Sequence, residues 1–153
     1  SSDEDRALVS QLLTEVLVEY RQPKVKSDEE LKERINDYYA RCAQTGQTPT
    51  VEELFLSTGY AISTVKDWEY GRRKGFSPET AAIIKKAKGF MQTFDAKLVV
   101  SGKLNFLAYC FRAKNYYGMV DKMVLTPNQP QIEGLTPEQL QQKYIEASDF
   151  DAK

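Results

Sequence analysis

Residues 77–122, SPETAAIIKKAKGFMQTFDAKLVVSGKLNFLAYCFRAKNYYGMVDK, decide how this chain is read. Ser77 is a good helix N-cap, and Pro78 suits the first helical position, where a missing N–H costs nothing. From there Ile83, Ala87, Phe90, Phe94, Leu98 and Ser101 recur at steps of four and three, which is one helical face, mostly apolar. Gly102 predicts a stop, and Asn105 predicts the cap of a second helix. That helix, 106–115, reads as apolar almost all round and closes on Tyr116-Tyr117-Gly118. A soluble monomer gains little from such a helix unless something covers every side of it. The pair is therefore expected to form a hairpin that packs against copies of itself, with Ile83, Phe90, Phe94, Leu98, Leu107, Tyr109 and Phe111 as its contact residues.

Outward from this stretch, 153 residues suffice for one ordinary core, or a small domain with helical appendages. The net charge is −1 but unevenly spread. Between Lys66 and Lys122 there are twelve Lys and Arg against five Asp and Glu. Asp3, Glu4, Asp5, Glu15 and Glu19 dominate the start of the chain, and Glu133, Glu138, Glu146, Asp149 and Asp151 its end. A basic middle suits an anionic partner, while acidic ends repel one; a merely solvated charged surface is the alternative.

The same composition argues against catalysis. The chain has no histidine, which removes the commonest general base and transition-metal ligand. Gly71-Arg-Arg-Lys-Gly75 imitates a phosphate loop only in composition, and the acidic residues sit singly rather than converging as a two-metal site needs. The expectation is a protein that is not an enzyme and needs no cofactor or metal. Cys42 and Cys110 fall in apolar helical stretches without metal-ligand spacing, and read as two reduced core thiols of a cytosolic protein. No signal peptide is visible, and no apolar run approaches the roughly 20 residues a membrane helix needs, so no membrane partner is expected.

The whole chain reads as all-α. Residues 1–23 form an N-terminal amphipathic helix over 5–20, after a frayed start, with Leu8, Leu12, Leu13, Val16, Leu17 and Tyr20 on one face. Such a helix must dock on its own domain or on a partner. Residues 24–76 follow, opening with a short linker over 24–26. Ser27 with Glu30 is a capping box for a helix that turns Leu31, Ile35, Tyr38 or Tyr39, and Cys42 inward; Thr50 with Glu53 is a second such box. Gly59 makes a tight turn, Ser63 caps a further helix carrying Val65 and Trp68, and Gly71 ends it.

Two short helices joined by a glycine turn are the helix-turn-helix arrangement, which serves either DNA binding or plain protein interaction. Phe55 stands where that motif carries a small residue, which would splay the pair. As a DNA reader, the second short helix would present Ser63, Thr64, Lys66, Asp67 and Tyr70, with Asp67 and Glu69 repelling phosphate. Arg72, Arg73 and Lys74 would grip phosphate with weak sequence discrimination. Residues 77–122 are the oligomerisation hairpin. Residues 123–153 are a Pro/Asn/Gln-rich linker and a short helix opened by Thr136-Pro137, with Leu140, Tyr144 and Ile145 as partner-docking anchors. Its alternative is a tail that packs back on its own domain.

The residues now in hand resemble a phage family. A helix-turn-helix ending in a tryptophan, then a long helix, then Gly102-Lys-Leu-Asn105, then FLAYCFRAKNYYGMVDK over 106–122, looks like the small subunit of phage terminase. The family's hydrophobic helix closes with a Lys-Asn, an aromatic, a glycine and an Asp-Lys; here these are Lys114-Asn115, Tyr117, Gly118 and Asp121-Lys122. The likeness covers about half the chain, 50–122, and departs at Phe106, where a smaller residue or proline is expected. It implies a non-enzymatic homo-oligomeric ring in the host bacterial cytoplasm. That ring recognises double-stranded viral DNA and hands it to a large subunit holding the ATPase and nuclease. The DNA-contacting role carries over only to the helix bearing Trp68 and to 72–74. The rival readings are a dimeric helix-turn-helix transcription regulator and a purely structural interaction protein.

Overall fold

The computed structural model describes residues 1–119, and these contain six α-helices and no strand. They are α1 (Ser2–Tyr20), α2 (Asp28–Thr45), α3 (Val51–Ser57), α4 (Ile62–Glu69), α5 (Thr80–Val100) and α6 (Phe106–Tyr116). The chain divides into two compact units, Ser1–Met91 and Gln92–Lys153, and the division falls within α5. None of the described helices is long and apolar enough to cross a membrane.

In the first unit, α3 is the hub and packs against α1, α2 and α4. Its core is Val25, Leu31, Ile35, Tyr38, Leu54, Phe55, Val65, Trp68 and Ile84. Half of each expected capping box forms: Ser27 accepts from the Glu30 N–H at 3.1 Å and Thr50 from the Glu53 N–H at 3.1 Å, but Glu30 accepts the Lys26 N–H and Glu53 the Thr50 hydroxyl instead of returning to the N-cap backbone. On α2 it is Tyr38, not Tyr39, that is buried, and its hydroxyl accepts the Thr50 N–H at 2.9 Å. Phe55 is wholly inside and is part of this core.

Several local expectations are corrected. The start of the chain is capped rather than frayed: Ser1 accepts the Glu4 N–H and the Glu4 side chain returns to the N-cap backbone, so α1 begins three residues early. Residues 24–26 do more than link. Val25 is fully buried, its N–H donates to Thr58 O at 3.0 Å, and its carbonyl accepts from Tyr60 Oη at 2.8 Å. This segment lies so close to the turn after α3 that a Cβ on Gly59 would sit 2.4 Å from Lys24 N; with φ at +85°, glycine is required there twice over. Arg34 ties the same corner, donating to Pro23 O and Ser57 O, both at 2.6 Å.

Ser63 does not cap α4; Ala61 does, with no side-chain hydrogen bond. Ser77 and Pro78 do not open α5, which starts at Thr80. Instead Ser77 and Thr80 both hydrogen-bond Asp28, the first residue of α2, and Thr80 Oγ1 accepts the N–H groups of Phe76 and Ser77. The hydroxyls thus tie the start of α5 to α2, and Ser77 Oγ also accepts the Glu79 N–H at 3.0 Å just before the helix begins.

The buried face of α5 is offset by one residue from the expected one. Thr80, Ile84, Ala87, Met91, Asp95 and Val99 are inside, whereas Ile83, Phe94 and Leu98 are half-exposed and Phe90 and Ser101 exposed. Gly102, at φ +75°, follows the helix end, and Asn105 caps α6 by accepting from Leu107 and Ala108. In the second unit α6 is not apolar all round. Its buried side chains are Arg112 and Ala113, while Leu107 and Phe111 are exposed. Cys42 is buried and burial pushes its thiol up, but Cys110 is only half-buried and is no core thiol.

Candidate nucleic-acid interface

α4 is anchored by one face and bare on the other. Val65 and Trp68 are buried, the indole meeting Tyr60 at 4.7 Å and Phe76 at 5.2 Å between ring centroids. Opposite them Ser63, Lys66 and Tyr70 are exposed, and Thr64 and Asp67 half-exposed. The spacing 63, 66, 67, 70 puts these on one stripe. Arg73 and Lys74 continue it as exposed cations. The turn carrying them is fixed by its backbone, because the N–H groups of Arg72 and Arg73 both reach Asp67 O, at 2.8 and 3.2 Å.

Charge on this surface differs from the sequence expectation at two points. Glu69, expected to repel phosphate, is buried and ion-paired with Lys88 at 2.9 Å, so it takes no part in the outer face. Asp67 does face outward, but Arg72 Nε meets its carboxylate at 3.0 Å and the guanidinium lies 5.1 Å from the Tyr70 ring centre. The pair neutralises itself, leaving Lys66, Arg73 and Lys74 as the net charge of the stripe. Lys85 and Lys86 add two exposed cations on α5, while Lys88 is occupied by Glu69.

None of the expected oligomerisation residues is fully buried in the single chain: Ile83, Phe94, Leu98 and Tyr109 are partly covered, and Phe90, Leu107 and Phe111 are largely exposed. The docking anchors Leu140, Tyr144 and Ile145, with Asp121 and Lys122, lie outside the described residues.

Sequence reading missed the buried charges. Asp95 is fully buried on α5 and takes two bonds from Arg112, Nε at 2.8 Å and Nη2 at 3.0 Å; Tyr117 Oη donates to the same carboxylate at 2.7 Å. Burial, and then this bond to Asp95, push the Tyr117 phenol well above its ordinary value. On α1, Glu19 is fully buried and receives Arg41 Nε at 3.0 Å and Nη2 at 2.5 Å. The signal was present: Asp95 falls in step with Ile84, Ala87, Met91 and Val99. A charged residue on that face concealed it, and the phenylalanines on the neighbouring face drew the assignment. Comparison with models of protein families, with curated proteins and with solved structures gives no match for this chain.

Proposed function

We propose that this chain is the small subunit of a phage-type terminase, a non-enzymatic homo-oligomer that binds double-stranded DNA in the host bacterial cytoplasm and passes it to a large ATPase and nuclease subunit. In this reading α3, the Gly59 turn and α4 are a helix-turn-helix, with α4 as the helix that enters the major groove. The observation that carries it is the outer stripe of α4. A helix held by Val65 and Trp68 on one side presents Ser63, Lys66 and Tyr70 on the other, followed at once by Arg73 and Lys74. Hydroxyls and cations in such a stripe suit phosphate oxygens, and without an arginine aimed at guanine the sequence discrimination is weak. Several weak grips in one ring add through multivalency. The half-bare faces of α5 and α6 support self-association.

The test is binding to duplexes of unrelated sequence over a range of salt. Changing Lys66, Arg73 and Lys74 together to Ala lowers affinity for every duplex and reduces the salt slope by about 0.9 for each lost phosphate contact. Unchanged affinity and slope would remove α4 from the DNA and leave Lys85 and Lys86 as the next grip. A native mass of two chains, with strong preference for one duplex, would favour the dimeric transcription regulator.

A further inference from the structure

α1 covers little of its apolar surface. Its one buried residue is Glu19, held on Arg41, with Glu15 half-buried one turn before it. Its apolar side chains are only partly covered, with Leu8, Leu12, Leu13, Val16, Leu17 and Tyr20 between 37% and 64% exposed. A lone helix with that much apolar surface in water has an unfilled requirement for a cover.

The first unit also carries an open groove of about 350 Å³ between α2 and the first half of α5. Ile35, Tyr39, Ile83, Ala87 and Phe90 line it, with Lys32 and Lys86 beside them. Its wall is rigid, since Tyr39 Oη donates to Ala87 O at 2.5 Å and the Tyr39 and Phe90 ring centres are 4.4 Å apart. Phe90 is nonetheless 58% exposed. Stripe and groove are thus both open in the single chain.

We infer that α1 of one copy docks its apolar stripe in the α2–α5 groove of the next copy. Charge selects this occupant. With Glu19 matched by Arg41, the helix still shows Asp3, Glu4, Asp5 and Glu15 against Arg6 alone, so two α1 helices side by side bring like charges together. The groove offers the opposite sign in Lys86 and in Lys32, whose pairing with Glu29 is long at 3.6 Å and solvent-exposed. Stripe and groove are different patches, so the contact is heterologous and each copy has one of each to give; such contacts run head to tail and close into a ring when the rotation allows. The inference rests on the reading of the chain as a homo-oligomer and assigns the contact that orders it.

The experiment is native mass measurement of the full chain at micromolar concentration, with circular dichroism to check folding. Leu12→Asp with Leu13→Asp removes the stripe, and Phe90→Asp with Lys86→Glu removes the groove. Each alone falls to smaller species than the unmodified ring, and a one-to-one mixture recovers a two-chain complex through the single intact contact. Lys32→Glu with Lys86→Glu, which leaves the apolar wall untouched, weakens assembly at low salt by tenfold or more, and it decides the matter should Phe90→Asp fail to fold. An unmodified ring whose mass none of these variants changes overturns the inference while leaving the oligomeric reading intact. Loss with the stripe variant but not with either groove variant means α1 pairs with something else and overturns it too. An unmodified chain that is a folded monomer overturns both.

Discussion

Asp95 and Arg112 show how a single pair can govern a region. The carboxylate is fully buried, two guanidinium nitrogens and one phenol point at it, and the arginine itself is nearly covered. Bringing two ions out of water is costly, and the pair is tolerable only because the geometry is bidentate and the remaining lone pairs are used. Removing one partner leaves the other buried and unmatched. Asp95→Asn is therefore expected to destabilise the chain by about 3–5 kcal/mol, read as a lowered urea midpoint by circular dichroism. Replacing both, Asp95→Leu with Arg112→Met, should recover most of that loss, because no unpaired charge remains. A small effect of Asp95→Asn alone would mean that water reaches this site. The same pair fastens α6 to α5 beside the fully buried Ala113, while Leu107 and Phe111 stay exposed.

At the scale of elements, α3 carries an acid whose bond to the cap favours ionisation and whose burial opposes it. Glu53 accepts a hydrogen bond from Thr50 Oγ1 at 3.2 Å, yet burial outweighs this and raises its carboxyl above the ordinary range. The folded chain thus holds the proton more tightly than the unfolded chain. Its contribution to stability is whole below the unfolded value, about 4.3, and is lost as pH rises through the folded one. Glu53→Gln, which keeps an oxygen for Thr50, should match or exceed the stability of the unmodified chain near pH 7, with the difference closing toward about pH 4. Urea unfolding at both values checks this, and a difference independent of pH would assign the effect to packing. α4 makes the complementary point, for it has no side-chain cap at all and is held by Val65, Trp68 and the Glu69–Lys88 pair. Tertiary contact, not local chemistry, sustains this helix of eight residues.

For the molecule as a whole, the distribution of surface matters more than net charge. Acidic α1, the exposed cations of α4 and α5, and the bare aromatics of α5 and α6 give one chain several distinct kinds of surface. The proposed function divides labour along the chain accordingly, with motor docking assigned to Leu140, Tyr144 and Ile145. A chain ending at Val124 is expected to assemble and bind DNA as before but to lose recruitment of the large subunit. Leu140→Asp with Tyr144→Asp should reproduce that loss. A sizing run beside a pull-down with the large subunit separates the outcomes: loss of assembly would make 125–153 part of the ring, and retained recruitment would move the docking surface elsewhere.

The sequence by itself determined the helical class, the caps at Ser27, Thr50 and Asn105, the glycine turn at Gly59 and the inward residues of α2, because each depends on chemistry within a few residues. It also marked the outward stripe of α4 at 63, 66 and 70, since Val65 and Trp68 already say which side is covered. Tertiary structure alone decided where the charges went. Glu19, Glu69, Asp95 and Arg112 are buried because partners 17 to 22 residues away in sequence reach them, and no local pattern announces a partner at that distance. It likewise decided that Ser77 and Thr80 bind Asp28, and that the leucines of α1 stay only partly covered. Periodicity says that a helix has an apolar face; only packing says what, if anything, lies against it.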